Sequence, residues 1–343
     1  MTEQKLIGLL TPFFQPIPAY ERAAAALGVE LAIVTPSRVD WQSEEVQALA
    51  FDGSKWEEKL VPLPGAYYNR FYGPKPKVVN RLELLVGKGR VFNHITLFDK
   101  LDVHSILSQT PLEKHLPATY ILQPENVVEL LKGDGQAIIK PRTGQLGVGI
   151  YLVRKKGKKF QLHLGTKSPI ASFPSTEELL DWLEANLGRG YIVQQYIPLA
   201  TLNGRVFDVR FLVQKDGGGM WKASGVLSRL SLTYSYITNV SHSLLPGGKA
   251  LQQAFPGQGY LPKLEKLSLQ AASAVEQALG SLGELSVDFG LDEQGRIWII
   301  ELNGKPMKSM FSALGDARLM KTVYERPLCY ALHLCSPKLI KGF

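Results

Sequence analysis

Asp288, Glu301 and Asn303, near the C-terminal end, are the residues in this sequence best suited to chemistry. All three offer hard oxygen donors, the class that binds Mg²⁺ while the ion also holds nucleotide phosphates. Leu285, Val287 and Phe289 alternate with Ser286, Asp288 and Gly290, so a strand here sorts apolar from polar side chains. Asp292-Glu293-Gln294-Gly295 is a turn signal, and Ile297 to Ile300 reads as the return strand. Asp288 then sits on one arm of a hairpin. Glu301 and Asn303, two residues apart and so on one face, sit at the end of the other. Taken alone, the segment fits an exposed acidic hairpin equally well.

A second cluster surrounds Lys140. Ala137 to Pro141 reads as a strand ending at proline, and it runs straight into Arg142 to Ile150, where Gly144, Gly147 and Gly149 fall within six residues. Such a loop can close its backbone on an anion while the lysine supplies charge, although an ordinary hairpin has the same look. Asp208 and Arg210 share one face of a strand, for which an internal ion pair is the bland explanation. Ile237-Thr238-Asn239 followed by Gly247-Gly248 is a polar loop that is mute by itself. His94, His104, His115 and His242 each stand apart from any Cys or carboxylate at ligand spacing, and only His242, close to Asn239, is kept as a substrate contact.

The elements that must position these residues follow in order. Lys5 to Leu10, a helix near Tyr20 to Leu27 and Val29 to Val34 have a βαβ rhythm, giving a small parallel-sheet domain over residues 1–92, with a loop past Pro36. It lacks a Gly-x-Gly-x-x-Gly turn, so its expected job is to wall one side of a cleft. A helix spans Phe98 to Leu107 with Asp99-Lys100 in its first turn, and Ser175 to Glu178 is a capping box for a helix to Leu187. Tyr191 to Tyr196 and Asp208 to Val213 read as strands, and Pro262 to Leu279 as a long amphipathic helix.

Composition bounds the rest. The chain has 343 residues, 45% of them apolar and 20% charged, which suits a globular protein of two or three units. Its net charge of +8 is spread along the chain, and the one dense run, Arg154 to Lys159, is expected to be a solvated hairpin tip. No aromatics interleave with that run, which argues against nucleic acid. No stretch approaches a membrane span, and the two cysteines, Cys329 and Cys335, have no zinc spacing; the expectation is reduced, buried thiols in a cytoplasmic protein.

Taken in order, these segments resemble the ATP-grasp superfamily over residues 93–310, and within it the YheC/YheD-like group of spore-forming Firmicutes, described as endospore coat-associated. Phe98-Asp99-Lys100, Ile139-Lys140-Pro141 with its glycine loop, Gln194 to Ile197, Phe207 to Phe211, Thr238-Asn239 with Gly247-Gly248, and Asp288/Glu301/Asn303 carry the resemblance. Val206 to Arg210 and the basic N-terminal domain carry the narrower one. The fold implied mixes α/β and α+β: an ATP-grasp fold, two α+β subdomains sandwiching ATP, behind a pre-ATP-grasp domain. The lid subdomain would span about 118–193 and the C-terminal subdomain about 194–343. Two departures stand out: Met307 where these ligases often have Gly, and no acidic residue for the ribose hydroxyls between Pro198 and Gly204.

The resemblance implies ATP- and Mg²⁺-dependent ligation of a carboxylate to an amine through an acyl-phosphate. Lys100 and Lys140 would contact phosphates under Gly144, Gly147 and Gly149, while the hinge strand Gln194, Gln195, Tyr196 and Ile197 contacts adenine with its backbone and Asp208 completes the nucleotide site. Asp288, Glu301 and Asn303 would hold one or two Mg²⁺, with Mn²⁺ as the alternative ion. Arg210, assisted by Arg229 and Asn239, would face the transferred phosphoryl group, and Asp288→Ala should abolish turnover and leave the fold intact. The substrates would be a small molecule or peptide carboxylate and an amine, and a homodimer and association with spore coat layers are compatible. A phosphotransferase on the same fold, and a non-catalytic nucleotide-binding or structural spore protein, remain as the other readings.

Overall fold

The computed structural model describes residues 5–335 except 134, 167, 234, 239 and 240. Asn239 therefore lies outside the described residues.

Seven strands form the first sheet: β1 (Leu6–Leu10), β2 (Glu30–Val34), β3 (Val39–Asp40), β4 (Glu45–Phe51), β5 (Trp56–Pro62), β6 (Ala66–Asn69) and β7 (Val91–Phe92). Helices α1 (Glu21–Leu27) and α2 (Lys77–Val86) supply crossovers. The order is β3-β4-β2-β1-β6-β7, with β5 on β4. All five residues of β1 are buried, as a central strand covered on both faces requires. Gly8 is needed there: a Cβ would lie 2.4 Å from the ring of Tyr67 on the neighbouring strand. The expected parallel sheet is only the half built by β2, β1, β6 and β7; β2 pairs antiparallel with β4, which also carries β3 and β5 antiparallel. Reading the chain past Pro36 as loop overlooks this extension. The alternation of Val46, Ala48 and Ala50 with Glu45 and Gln47 is its signal, and those three apolar residues are buried, as is Phe51 at the strand's end.

Helix α3 (Lys100–Ser108) leads into a second, wholly antiparallel sheet of β8 (Thr119–Ile121), β9 (Gln136–Pro141), β10 (Tyr151–Lys156), β11 (Lys159–Leu164), β12 (Pro169–Phe173) and β13 (Tyr191–Gln195), ordered β12-β11-β10-β9-β13-β8. Two helices, α4 (Pro124–Lys132) and α5 (Thr176–Leu187), contribute Val127, Leu131, Leu179 and Leu183 to its core. Ser175 caps α5, its Oγ accepting from the Glu178 N–H at 3.2 Å, which is one of the two bonds of the expected capping box. Lys155 to Lys159 are exposed at the β10–β11 hairpin, the solvated tip expected of that run.

The third sheet, β14 (Thr201–Leu202), β15 (Arg205–Lys215), β16 (Trp221–Ser231), β17 (Ser241–Pro246), β18 (Glu284–Leu291) and β19 (Ile297–Asn303), runs β17-β16-β15-β18-β19 with β14 on β15. Helices α6 (Gly247–Ala254), α7 (Tyr260–Leu279) and α8 (Ala317–Cys335) complete it. Phe207, Val209, Phe211 and Val213 of β15 and Leu285, Val287 and Phe289 of β18 pack into one core with Leu264, Ala271 and Val275 of α7. The period of two then puts Asp208, Arg210 and Asp288 on the opposite face. Helix α8 returns to the first sheet, where Leu328, Tyr330 and Ala331 join Ile7, Leu9 and Tyr68. Cys329 and Cys335 are half-buried on it.

Asn93 joins the first sheet to the third. It adopts φ +52°, a left-handed conformation that asparagine tolerates better than most residues. Its Oδ1 accepts from the N–H groups of Gly283 (2.7 Å) and Glu284 (2.9 Å), and its Nδ2 donates to the carbonyls of Glu284 (2.7 Å) and Gly304 (3.0 Å). Asn93→Asp keeps the shape but turns two donors into acceptors facing carbonyls. A loss of about 3 kcal/mol is expected in urea unfolding, and an unchanged midpoint would refute the role.

Candidate active site

The third sheet meets the second across a cleft of about 970 Å³, counted out to its open mouth. The hairpin carrying Asp288 is not an exposed acidic one: all eight residues of β18 are buried. Asp288 stands directly across the ladder from Glu301 on one side and Arg210 on the other, while Asn303 is opposite Ser286. A β-bulge follows the Asp288–Glu301 pair, leaving Ile300 as the extra residue on β19, and Ile300 turns into the cleft wall.

The charges are matched in pairs. Arg210 grips Asp288 in a fork, Nε to Oδ1 at 2.7 Å and a terminal nitrogen to Oδ2 at 2.6 Å. Arg229 reaches the same Oδ2 at 2.8 Å and also holds Asp208, which accepts a further bond from Thr238 Oγ1. Asp208 and Arg210 are therefore not partners of each other. They point into the same face but pair with residues on neighbouring strands. Burial works to raise the Asp288 carboxyl, and the two guanidiniums overcome it and hold the group below the usual carboxylate range.

Lysines close the cleft from the lid side. Asp99 caps α3, accepting from the Leu101 N–H at 2.9 Å, and its other oxygen takes Arg142 Nε at 2.8 Å. The Lys100 N–H donates to the Arg142 carbonyl at 2.9 Å, so the start of α3 is stitched to the end of β9. Lys100 Nζ then lies 3.3 Å from Glu301 Oε1 and 3.5 Å from the Gly144 carbonyl of the glycine loop. Lys140 is 6% exposed and donates to Gln194 Oε1 at 2.8 Å. Burial pulls its ammonium down to about 8, with Glu301 opposing that and Lys100 reinforcing it.

Of the residues singled out in the sequence, Lys100, Lys140, Gly144, Gly147, Gln194, Gln195, Tyr196, Ile197, Asp208, Arg229, Asp288 and Glu301 line one cleft. Gly149, Arg210 and Asn303 do not form its wall. Gly149 packs instead, at φ +71° and with its missing Cβ direction 3.2 Å from Pro141 and from the Tyr191 hydroxyl. Arg210 stands behind Asp288, so Arg229 is the guanidinium that faces the cleft. His242 is exposed on β17, away from that wall.

Two contributors carry no motif. Tyr236 donates to the Ile150 carbonyl at 2.9 Å and accepts from the Gly165 N–H at 2.8 Å, tying the loop after β16 to the lid. Lys305 donates to the Arg70 carbonyl at 2.7 Å, bringing the end of β6 beside the end of the strand that carries Glu301. A lone tyrosine and a lone lysine in loops give no spacing to read.

The family model described as YheC/D like ATP-grasp matches residues 88–334. The chain belongs to this ATP-grasp family. Endospore coat-associated protein YheD of Bacillus subtilis (strain 168) is 27% identical over 295 residues, which are 80% of this chain and 64% of YheD, so the chain spans less than two thirds of that relative. Among solved structures, the VanG D-Ala:D-Ser ligase of Enterococcus faecalis aligns with a TM-score of 0.54 at 14% identity, over 96% of this chain and 99% of that one. N5-carboxyaminoimidazole synthetase of Staphylococcus aureus complexed with ADP aligns with a TM-score of 0.55 at 10% identity, over 95% and 77%. At these identities the likeness is one of fold, and it is the ATP-grasp fold. Among the described residues no helix is long and apolar enough to cross a membrane.

Proposed function

We propose that this ATP-grasp protein is an ATP- and Mg²⁺-dependent ligase that joins a carboxylate to an amine through an acyl-phosphate. The observation that carries the reading is the gathering of two lysines and two carboxylates, Lys100, Lys140, Asp288 and Glu301, around one cleft under a glycine loop. Among the described residues Lys140 is a buried cation whose hydrogen-bond partner is a neutral amide, an arrangement that an incoming phosphate would stabilise. The fold's occurrence in a synthetase complexed with ADP and in a ligase agrees with it.

The donor set suits Mg²⁺. Asp288 and Glu301 face one another across adjacent strands, and Asn303 lies 3.5 Å from Asp288. Among the described residues no three His, Cys, Asp or Glu gather into a metal cage. Asp288 and Glu301 would instead hold an ion completed by phosphate and water. When bound, the ion would neutralise phosphate charge. Glu301 would exchange its contact with Lys100 for the ion, freeing Lys100 for phosphate. Arg229, held by Asp208, would present fixed positive charge to the transferred phosphoryl group, and Arg210 would keep Asp288 ionised and in place. The substrate carboxylate oxygen would attack the γ-phosphorus with ADP leaving; the amine would then attack the acyl carbon, losing a proton as phosphate departs. The substrate is proposed to be a small molecule or peptide, and the name of YheD supports a place of action at the spore.

Calorimetric titration with ADP should show affinity that rises on adding Mg²⁺, and a screen of amino acids and short peptides should find one that elicits phosphate release. Hydroxylamine would trap the acyl-phosphate as a hydroxamate. Phosphate appearing on an acceptor hydroxyl instead would replace the ligase with a phosphotransferase, and absence of any nucleotide binding would leave the non-catalytic reading.

A further inference from the structure

We propose that the side chain of Gln194 is a positioning group for Lys140, anchored in turn by Thr119, and does not read the nucleobase. The inference rests on the reading of the cleft as a nucleotide site. Gln194 lies on β13, directly opposite Thr119 of β8 and Ile138 of β9. Lys140, two residues beyond Ile138, is its diagonal neighbour on the same face, within reach of a long side chain. Three bonds run in one direction through this row. Lys140 Nζ donates to Gln194 Oε1 at 2.8 Å, Gln194 Nε2 donates to Thr119 Oγ1 at 2.7 Å, and Thr119 Oγ1 donates to the Pro117 carbonyl at 2.8 Å.

The direction is fixed by chemistry. An ammonium has no acceptor, so the amide must turn its oxygen to Lys140 and its nitrogen to Thr119. The Thr119 proton is already committed to Pro117, so that hydroxyl can only accept. Lys140, Gln194 and Thr119 are 6%, 8% and 5% exposed, so water does not compete for these bonds. The amide oxygen and one amide N–H are therefore committed to this row, and contact with adenine is left to the backbone of the segment through Gln195, Tyr196 and Ile197, which line the same cleft. The charged and titratable groups facing Lys140 are Lys100 and His104 from α3 and Glu301 from β19. None of these makes a salt bridge to it among the described residues, which leaves Gln194 to hold the ammonium.

The test uses the full chain and three variants, Gln194→Met, Gln194→Glu and Thr119→Val, with thermal melts to confirm folding. Lysine-selective carbon NMR of the nucleotide-free protein should follow Lys140 titrating with a midpoint near 8. The midpoint should fall in Gln194→Met and Thr119→Val, which remove or loosen the amide, and rise in Gln194→Glu, which supplies a carboxylate. Calorimetry with ADP and GDP at pH 8 should show both weakened by a similar factor in Gln194→Met, roughly 10-fold. A changed ADP/GDP ratio with an unmoved Lys140 midpoint would assign Gln194 to the base and overturn the proposal. So would a midpoint indifferent to all three substitutions. If wild type binds neither nucleotide but the midpoint shifts as described, the positioning role stands and the nucleotide reading falls.

Discussion

Glu301→Gln is expected to keep the fold and lose the Mg²⁺-dependent part of ADP affinity, whereas Asp288→Ala is expected to lose much of the fold itself. Among the described residues Glu301 makes one ion pair, with Lys100 at 3.3 Å, and both side chains are largely buried. Glutamine keeps an acceptor for Lys100, so the cost should stay at about 1 kcal/mol and the melting temperature should move little. Asp288 is the carboxylate between two buried guanidiniums. Arg229 would keep Asp208, but Arg210 pairs with no other carboxylate among the described residues. Removing the carboxylate strands a buried charge, which costs about 3–5 kcal/mol. The expectation that Asp288→Ala leaves the fold intact does not allow for this stranded charge, and a destabilised protein is expected instead. Urea unfolding paired with ADP titration, with and without Mg²⁺, separates the two variants. A Glu301→Gln protein that responds to Mg²⁺ as wild type does would remove Glu301 from the metal site.

The contrast shows what could be read from the sequence and what could not. Alternation and a turn signal place Asp288, Glu301 and Asn303 on one hairpin because strand geometry is a local property with a period of two. Lys140 before its glycine loop is local in the same way. The partners of these residues are not local. Arg229 reaches Asp208 and Asp288 only because β16, β15 and β18 lie side by side, and that order is a property of the sheet. Asp208 and Arg210 look like a pair when only their own strand is in view. The row from Lys140 through Gln194 to Thr119 is likewise hidden until β8 and β9 are laid against β13. Asn93 and the β4–β5 extension were equally hard for different reasons: a single asparagine has no pattern, and a short alternating run of alanines is a weak one.

The longest-range example is the clasp between the first sheet and the third. Lys308, in the turn after β19, donates to the hydroxyls of Tyr20 (2.6 Å) and Tyr68 (2.9 Å) and lies 2.9 and 3.2 Å from the two oxygens of Glu284. Tyr68 also bonds Glu284, Gln214 donates to it at 2.8 Å, and Arg70 stands 3.5 Å away. Glu284 is 1% and Lys308 4% exposed. Lys308→Met is therefore expected to destabilise the protein by about 3–5 kcal/mol at pH 7, because the carboxylate stays buried with its nearest cation gone. The effect should depend on pH in a defined sense. Burial works to raise the Glu284 pKa, and Lys308 and Arg70 outweigh it, holding the pKa below the ordinary 4.5. In the wild type its contribution is then complete above pH 4.5 and is lost as pH falls through the lower folded value. Without Lys308 the burial effect takes over, and a protonated Glu284 becomes the better-tolerated form. The gap between wild type and variant should thus be largest near neutrality and shrink below pH 4.5, as read by urea unfolding at pH 7, 5.5 and 4. A gap that stays constant across that range would mean that the cost is one of packing alone. The double substitution Lys308→Met with Glu284→Gln should recover part of the loss at pH 7, since it removes the stranded charge and keeps an acceptor for Tyr68.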